Sequence, residues 1–146
     1  MNLTSKDDIL KSLSKYFDKK EDIAFAFLYG SQAKGNSTRL SDVDVAVYFY
    51  PKQRHPIEFE EADYYNDNED TIWGELESLL KKEVELLVLN RAPSIISTSA
   101  LRGIPIVIND RGLYLDFMLT ITDLAEDYAE FIISDYKERN RIGKRE

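Results

Sequence analysis

Two hydrophobic periodicities alternate along this chain, and the changes of period mark its elements. Ile9, Leu10, Leu13 and Phe17 recur at helical spacing, behind a Ser5 that can cap the helix and an Asp7–Asp8 pair suited to its electropositive first turn. From Ile23 to Tyr29 the chain is almost continuously apolar and ends at Gly30, the pattern of a strand buried on both faces. Gly30 to Ser41 is polar and predicts a turn, with a short helix starting near Ser31. A second strand is expected from about Val43 to Tyr50, ended by Pro51. Residues 51–70 hold two prolines, the single histidine and seven acids between Glu58 and Asp70, which reads as a loop. Asp70 or Thr71 is expected to cap a helix with the stripe Ile72, Leu76, Leu79 and Leu80, weakened by Gly74. Val84 to Leu89 reads as a third strand, Pro93 to Arg102 as a short helix stopped by Gly103, and Ile104 to Ile108 as a fourth strand. Asn109 to Gly112 reads as a turn.

The last segment differs in kind. Leu113, Phe117, Ile121, Leu124, Tyr128 and Phe131 form one seam of a long helix running from Leu113 to about Ile142. Leu115, Met118, Leu119, Ala125, Ala129, Ile132 and Ile133 add apolar surface beyond what one domain face requires, which predicts a second partner for this helix, the alternative being a helix sunk deep in its own core. Lys137, Arg139, Arg141, Lys144 and Arg145 suit its electronegative end.

Strands interleaved with helices imply an α/β (α+β) class, a small mixed sheet with flanking helices. At 146 residues and 43% hydrophobic the chain has the size and core of a single domain spanning 1–146. No apolar run approaches the roughly 20 residues that span a bilayer, and the polar start from Met1 to Asp8 does not resemble a signal or transit peptide. Without cysteine there is neither a disulfide framework nor a thiolate metal site. These features together suggest the cytoplasm. A net charge of −8 opposes phosphate backbones, so no direct nucleic-acid binding is expected; the acidity suits a basic protein partner, or simply solubility.

Candidate chemistry is concentrated between Phe27 and Val47. Asp42 and Asp44 lie two apart at the start of a strand, so their carboxylates share a face while Val43 and Val45 turn to the core. Two crowded carboxylates repel each other without a cation, and hard ions such as Mg²⁺ favour oxygen ligands supplemented by substrate phosphates. Gly30 permits a tight turn and close approach to a ligand. Ser31, if it opens a helix, offers a hydroxyl and backbone N–H groups to an anion, and Lys34 or Arg39 could add positive charge. His55 has no second ligand nearby in sequence and reads as surface. Glu85 is an acid between Val84 and Leu86 on an apolar strand, which reads either as an exposed acid or as one with a cation or water beside it.

Gly30-Ser31, ten residues, then Asp42-x-Asp44 resembles the Gly-Ser-x10-Asp-x-Asp motif of DNA polymerase β-like nucleotidyltransferases. Gly-Ser-Gln-Ala-Lys-Gly in a chain this short is similar to the minimal nucleotidyltransferases, the MNT antitoxins paired with HEPN-domain ribonuclease toxins. Val84 to Pro93 looks like that family's third carboxylate strand and its following loop, and Tyr114-Leu-Asp-Phe117 like the start of its C-terminal helix. The resemblance implies the minimal DNA polymerase β-like fold. It further implies two Mg²⁺ ions (or Mn²⁺) on Asp42, Asp44 and Glu85, with Glu in place of the usual Asp at the third position. Gly30 and Ser31 would cradle the phosphates of ATP, with Lys34 and Arg39 assisting. The product would be an AMP-modified tyrosine on a cognate HEPN toxin. A steric antitoxin with a vestigial site and a small-molecule nucleotidyltransferase are the rival readings.

Overall fold

The computed structural model describes residues 5–30, 33, 42–51, 65–124 and 126. Helix α1 (Lys6–Phe17) starts where Ser5 accepts a hydrogen bond from the Asp8 N–H at 3.1 Å, and it buries Ile9, Leu13 and Phe17. Strands β1 (Ile23–Tyr29) and β2 (Val43–Phe49) follow, then helix α2 (Glu69–Leu80) and strand β3 (Val84–Val88). Helix α3 (Ser94–Leu101) leads into strand β4 (Ile104–Ile108), and helix α4 occupies residues 111–124.

The sheet order is β3-β2-β1-β4, with β1 antiparallel to both neighbours and β2 parallel to β3. A parallel neighbour needs a crossover, and α2 supplies it. β1 and β2 are therefore central and covered on both faces, which explains their unbroken apolar runs. One face, with Leu28, Val45, Val47 and Val88, packs on α1 and α2 through Leu13, Phe17, Ile72 and Leu76. The other face, with Phe25, Phe27, Ala46 and Tyr48, packs on α3 and α4 through Ala100, Phe117 and Ile121. Phe25 stacks on Tyr48 at 5.0 Å between ring centroids, and Phe117 closes on Tyr48 at 4.7 Å. Each fully buried side chain of this size stabilises the fold by about 2–3 kcal/mol.

β3 is an edge strand, and α2 fastens it. Val84 turns its backbone groups away from β2; its N–H donates to Glu77 Oε2 at 2.9 Å, and its carbonyl accepts from Trp73 Nε1 at 2.7 Å.

The structure shifts several expected boundaries. α2 starts at Glu69 with Asn68 as its cap, ahead of Asp70 or Thr71, because Glu69 is tied down on both sides. Its carboxylate accepts from the Asn66 N–H at 2.8 Å and takes a bidentate ion pair from Arg91 at 2.7 and 2.8 Å. Leu79, expected in the buried stripe, is 38% exposed, since the core face of α2 is set by Ile72, Leu76 and Leu80. The turn expected through Gly112 is shorter: Asp110 accepts a hydrogen bond from the Leu113 N–H at 3.0 Å and helix α4 already includes residue 111. Phe117 and Ile121 of the expected seam are buried, and Leu115 and Leu119 of the surplus set are exposed. The short helix at Ser31, His55, the acids at 58–63, and Tyr128, Phe131, Ile132, Ile133 and the basic tail lie outside the described residues.

Candidate active site

β2, β3 and β4 run together and β1 runs against them, so one end of the sheet gathers the end of β1 and the starts of the other three. At that end Tyr29 pairs with Asp44, and Asp44 pairs with Glu85. Directly paired residues share a face with Cβ atoms about 5 Å apart. Three polar side chains therefore stand in one row, on the face that carries α3 and α4. Asp42 lies two residues before Asp44 on the same strand direction, and it is exposed.

The Asp44 and Glu85 carboxyl groups come within hydrogen-bonding reach of each other. Burial pushes the Asp44 carboxyl up to about 6, helped by that contact and by the charges of Glu85 and Asp42. Burial likewise pushes the Tyr29 phenol up to about 12, with Asp44 and then Glu85 adding to it. At neutral pH the row is thus a neutral phenol beside crowded acids. Among the described residues no cation forms an ion pair with any of these carboxylates.

Gly30 has φ 72°, a left-handed conformation in which a side chain is strained, and a Cβ there would overlap Asp44 Oδ2. The carboxylate of Asp44 therefore lies against the glycine backbone, and the first glycine of the motif is required twice over.

The structure thus brings Gly30, Asp44 and Glu85 together, with Asp42 acting on Asp44 through its charge. Ser31, Lys34 and Arg39 lie outside the described residues. No three His, Cys, Asp or Glu side chains among the described residues are gathered closely enough to hold an ion. The donor chemistry nevertheless fits a hard divalent cation: two adjoining carboxyls, one holding its proton to about pH 6, present the oxygen ligands such an ion prefers. Sequence reasoning did not single out Tyr29. Its signal was available in the alternation of β1, which puts Tyr29 on the same face as Phe25 and Phe27.

The chain matches the family model described as Polymerase beta, Nucleotidyltransferase over residues 11–112. No curated protein matches it. Among solved structures, a chain of a toxin–antitoxin complex crystallised with AMP-PNP superimposes with a TM-score of 0.64 at 19% identity, covering 88% of this chain and 98% of that one. A chain of the MntA–HepT toxin–antitoxin structure gives a TM-score of 0.55 at 18% identity, covering 90% and 96%. A chain of the tri-AMPylated Shewanella oneidensis HEPN toxin in complex with MNT antitoxin gives 0.56 at 18%, covering 90% and 95%. At these identities the superpositions speak to the fold. Among the described residues no helix is long and apolar enough to cross a membrane. The family model covers well over half of the sequence, carboxylate row included, and the chain belongs to the Polymerase beta nucleotidyltransferase family.

Proposed function

We propose that this chain is an antitoxin nucleotidyltransferase that moves AMP from ATP to a tyrosine hydroxyl of a cognate HEPN ribonuclease toxin. The observation that carries this reading is the convergence of Asp44 and Glu85 beside Gly30, whose backbone leaves no room for a side chain. Asp42, Asp44 and Glu85 would hold divalent cations, which when bound neutralise the triphosphate and support in-line displacement at the α-phosphorus. Gly30 and Ser31, with Lys34 and Arg39, would receive the β- and γ-phosphates. The acceptor oxygen attacks the α-phosphorus, its bond to the β-phosphate oxygen breaks, and pyrophosphate leaves. Glu85, exposed at the outer side of the row, would take the acceptor's proton. The neighbours crystallised as antitoxins with HEPN toxins support the choice of partner.

Docking has its own surface on this reading. Leu115 and Leu119 stand one helical turn apart on α4 and are 38% and 61% exposed, and α4 covers the face that carries the carboxylates.

Co-expression with the toxin and intact-mass measurement test the reading. A toxin heavier by one or more AMP units is expected with the parent chain. With Asp42→Asn and Asp44→Asn together, an unmodified toxin is expected, still bound, without rescue of growth. Full rescue by that double variant would replace the enzyme with a steric antitoxin.

A further inference from the structure

Two arginines flank helix α3, and their surroundings differ. Arg91, before it, is held in the bidentate pair with Glu69. Arg102, directly after it, is exposed, and its guanidinium makes no hydrogen bond or ion pair among the described residues. Its place is set by Gly103, where the chain runs hard against β1. A Cβ on Gly103 would overlap the Leu28 carbonyl oxygen and lie 3.0 Å from Tyr29 Cα. Ile104 then pairs with Leu28, while Leu101 packs into the same apolar cluster as Tyr29. Arg102 is thereby held at the carboxylate end of the sheet, on the far side of β1 from Glu85.

Across that end the order is Glu85 on β3, Asp44 on β2, Tyr29 and Gly30 on β1, and Arg102 before β4. Along this row the side chains pass from two carboxyls through a phenol to a guanidinium. We infer that Arg102 binds the polyphosphate tail of the nucleotide, on the side of the site opposite Glu85. This rests on the nucleotidyltransferase reading above and names a residue for it. A guanidinium fork matches phosphate oxygens in pairs, and a polyanion entering a row of acids needs a cation at the rim. The competing role for Arg102 is favourable contact with the electronegative end of α3, which would affect folding and leave ligand affinity alone.

The test measures the affinity of the full chain for Mg-ATP and for AMP by calorimetry, with the melting temperature in parallel. Arg102→Gln is expected to weaken Mg-ATP binding by about 10- to 100-fold, the loss of one charge-assisted bidentate contact, and AMP binding by less than about twofold. Arg102→Lys should fall between the two. Lys81→Gln removes a positive charge at the same end of the sheet but beside β3, and should leave Mg-ATP affinity unchanged. Parental Mg-ATP affinity in Arg102→Gln, or an equal loss for ATP and AMP, overturns the assignment of Arg102 alone. A parent chain that binds no Mg-ATP overturns the nucleotidyltransferase reading, and the role of Arg102 with it.

Discussion

The two ends of the sheet treat polar groups in opposite ways. At the end where β2 and β3 finish, Asn90 is fully buried and answers both backbone groups of Phe49, accepting from its N–H and donating to its carbonyl at 3.0 Å each. Glu69 and Arg91 neutralise each other beside it, and Asn109 donates to the Ile23 carbonyl at 2.9 Å. At the opposite end the carboxyls of Asp44 and Glu85 adjoin, with the charge of Asp42 acting on Asp44, and no cation is ion-paired to them among the described residues. Satisfied polar groups specify and stabilise a fold. Like charges held together at a cost to folding point to a ligand that relieves them. The same sheet therefore separates the residues that hold it together from those proposed to act.

That separation can be broken at either end. The largest effect is expected from the carboxylates: Asp42→Asn with Asp44→Asn should lower AMP transfer by about 10³-fold or more, with the circular dichroism spectrum unchanged. Glu85→Gln should lose turnover while keeping Mg-ATP binding, and Glu85→Asp should retain substantial activity. Transfer at the parental rate by the double variant would falsify the division at its active end. Next in size, Asn90→Ala withdraws two buried hydrogen bonds from Phe49 and should cost about 2–3 kcal/mol, visible as a melting temperature lower by roughly 5–10 °C. Its transfer rate per folded molecule should match the parent; a selective loss of activity would show that the far end also shapes the site.

The smallest effect is also the most specific. Asp44 has its folded pKa raised to about 6 from an ordinary 3.8, so its contribution to stability is full below the ordinary value. It is lost as pH rises through about 6, where the folded chain must carry the crowded charge. In metal-free buffer at pH 7.5, Asp44→Asn should therefore raise the melting temperature by about 2–4 °C, the equivalent of roughly 1 kcal/mol. The gain should vanish near pH 4. Adding Mg²⁺ should stabilise the parent and not the variant. A lower melting temperature at pH 7.5 would mean that Asp44 is a structural acid like Glu69.

Much of this was legible in the sequence where burial is two-sided. β1 and β2 read correctly because central strands covered on both faces leave apolar runs bounded by Gly30 and Pro51, whereas β4 lies at the sheet edge with one buried residue and was marked by Gly103 and its short apolar run. Asp42, Asp44 and Glu85 were legible because acids at the starts of apolar strands contradict their surroundings. The start of α2 was not, because Glu69 sits within a run of acids and its partner Arg91 is 22 residues away. No local pattern distinguishes the one acid in such a run that becomes buried. The capping role of Asp110 was hidden in a string of turn-forming residues. Leu79 obeyed the helical period, but the stripe was narrower than the period allowed. The place of Arg102 depends on strand order, since only the position of β4 beside β1 brings residue 102 to the carboxylate end of the sheet.

The grip of α2 on Val84 bears on how tolerance to mutation should be distributed. Trp73 is 46% exposed and would pass for a dispensable surface aromatic, yet its indole and Glu77 hold the residue immediately before Glu85. Among the described residues β3 has β2 on one side and no strand on the other, so its position against Asp44 is held from that side by those two side chains. A survey of random substitutions would then find Trp73 and Glu77 silent in a screen for soluble protein and loud in a screen for AMP transfer. Their signature would be that of site residues, although neither reaches the site.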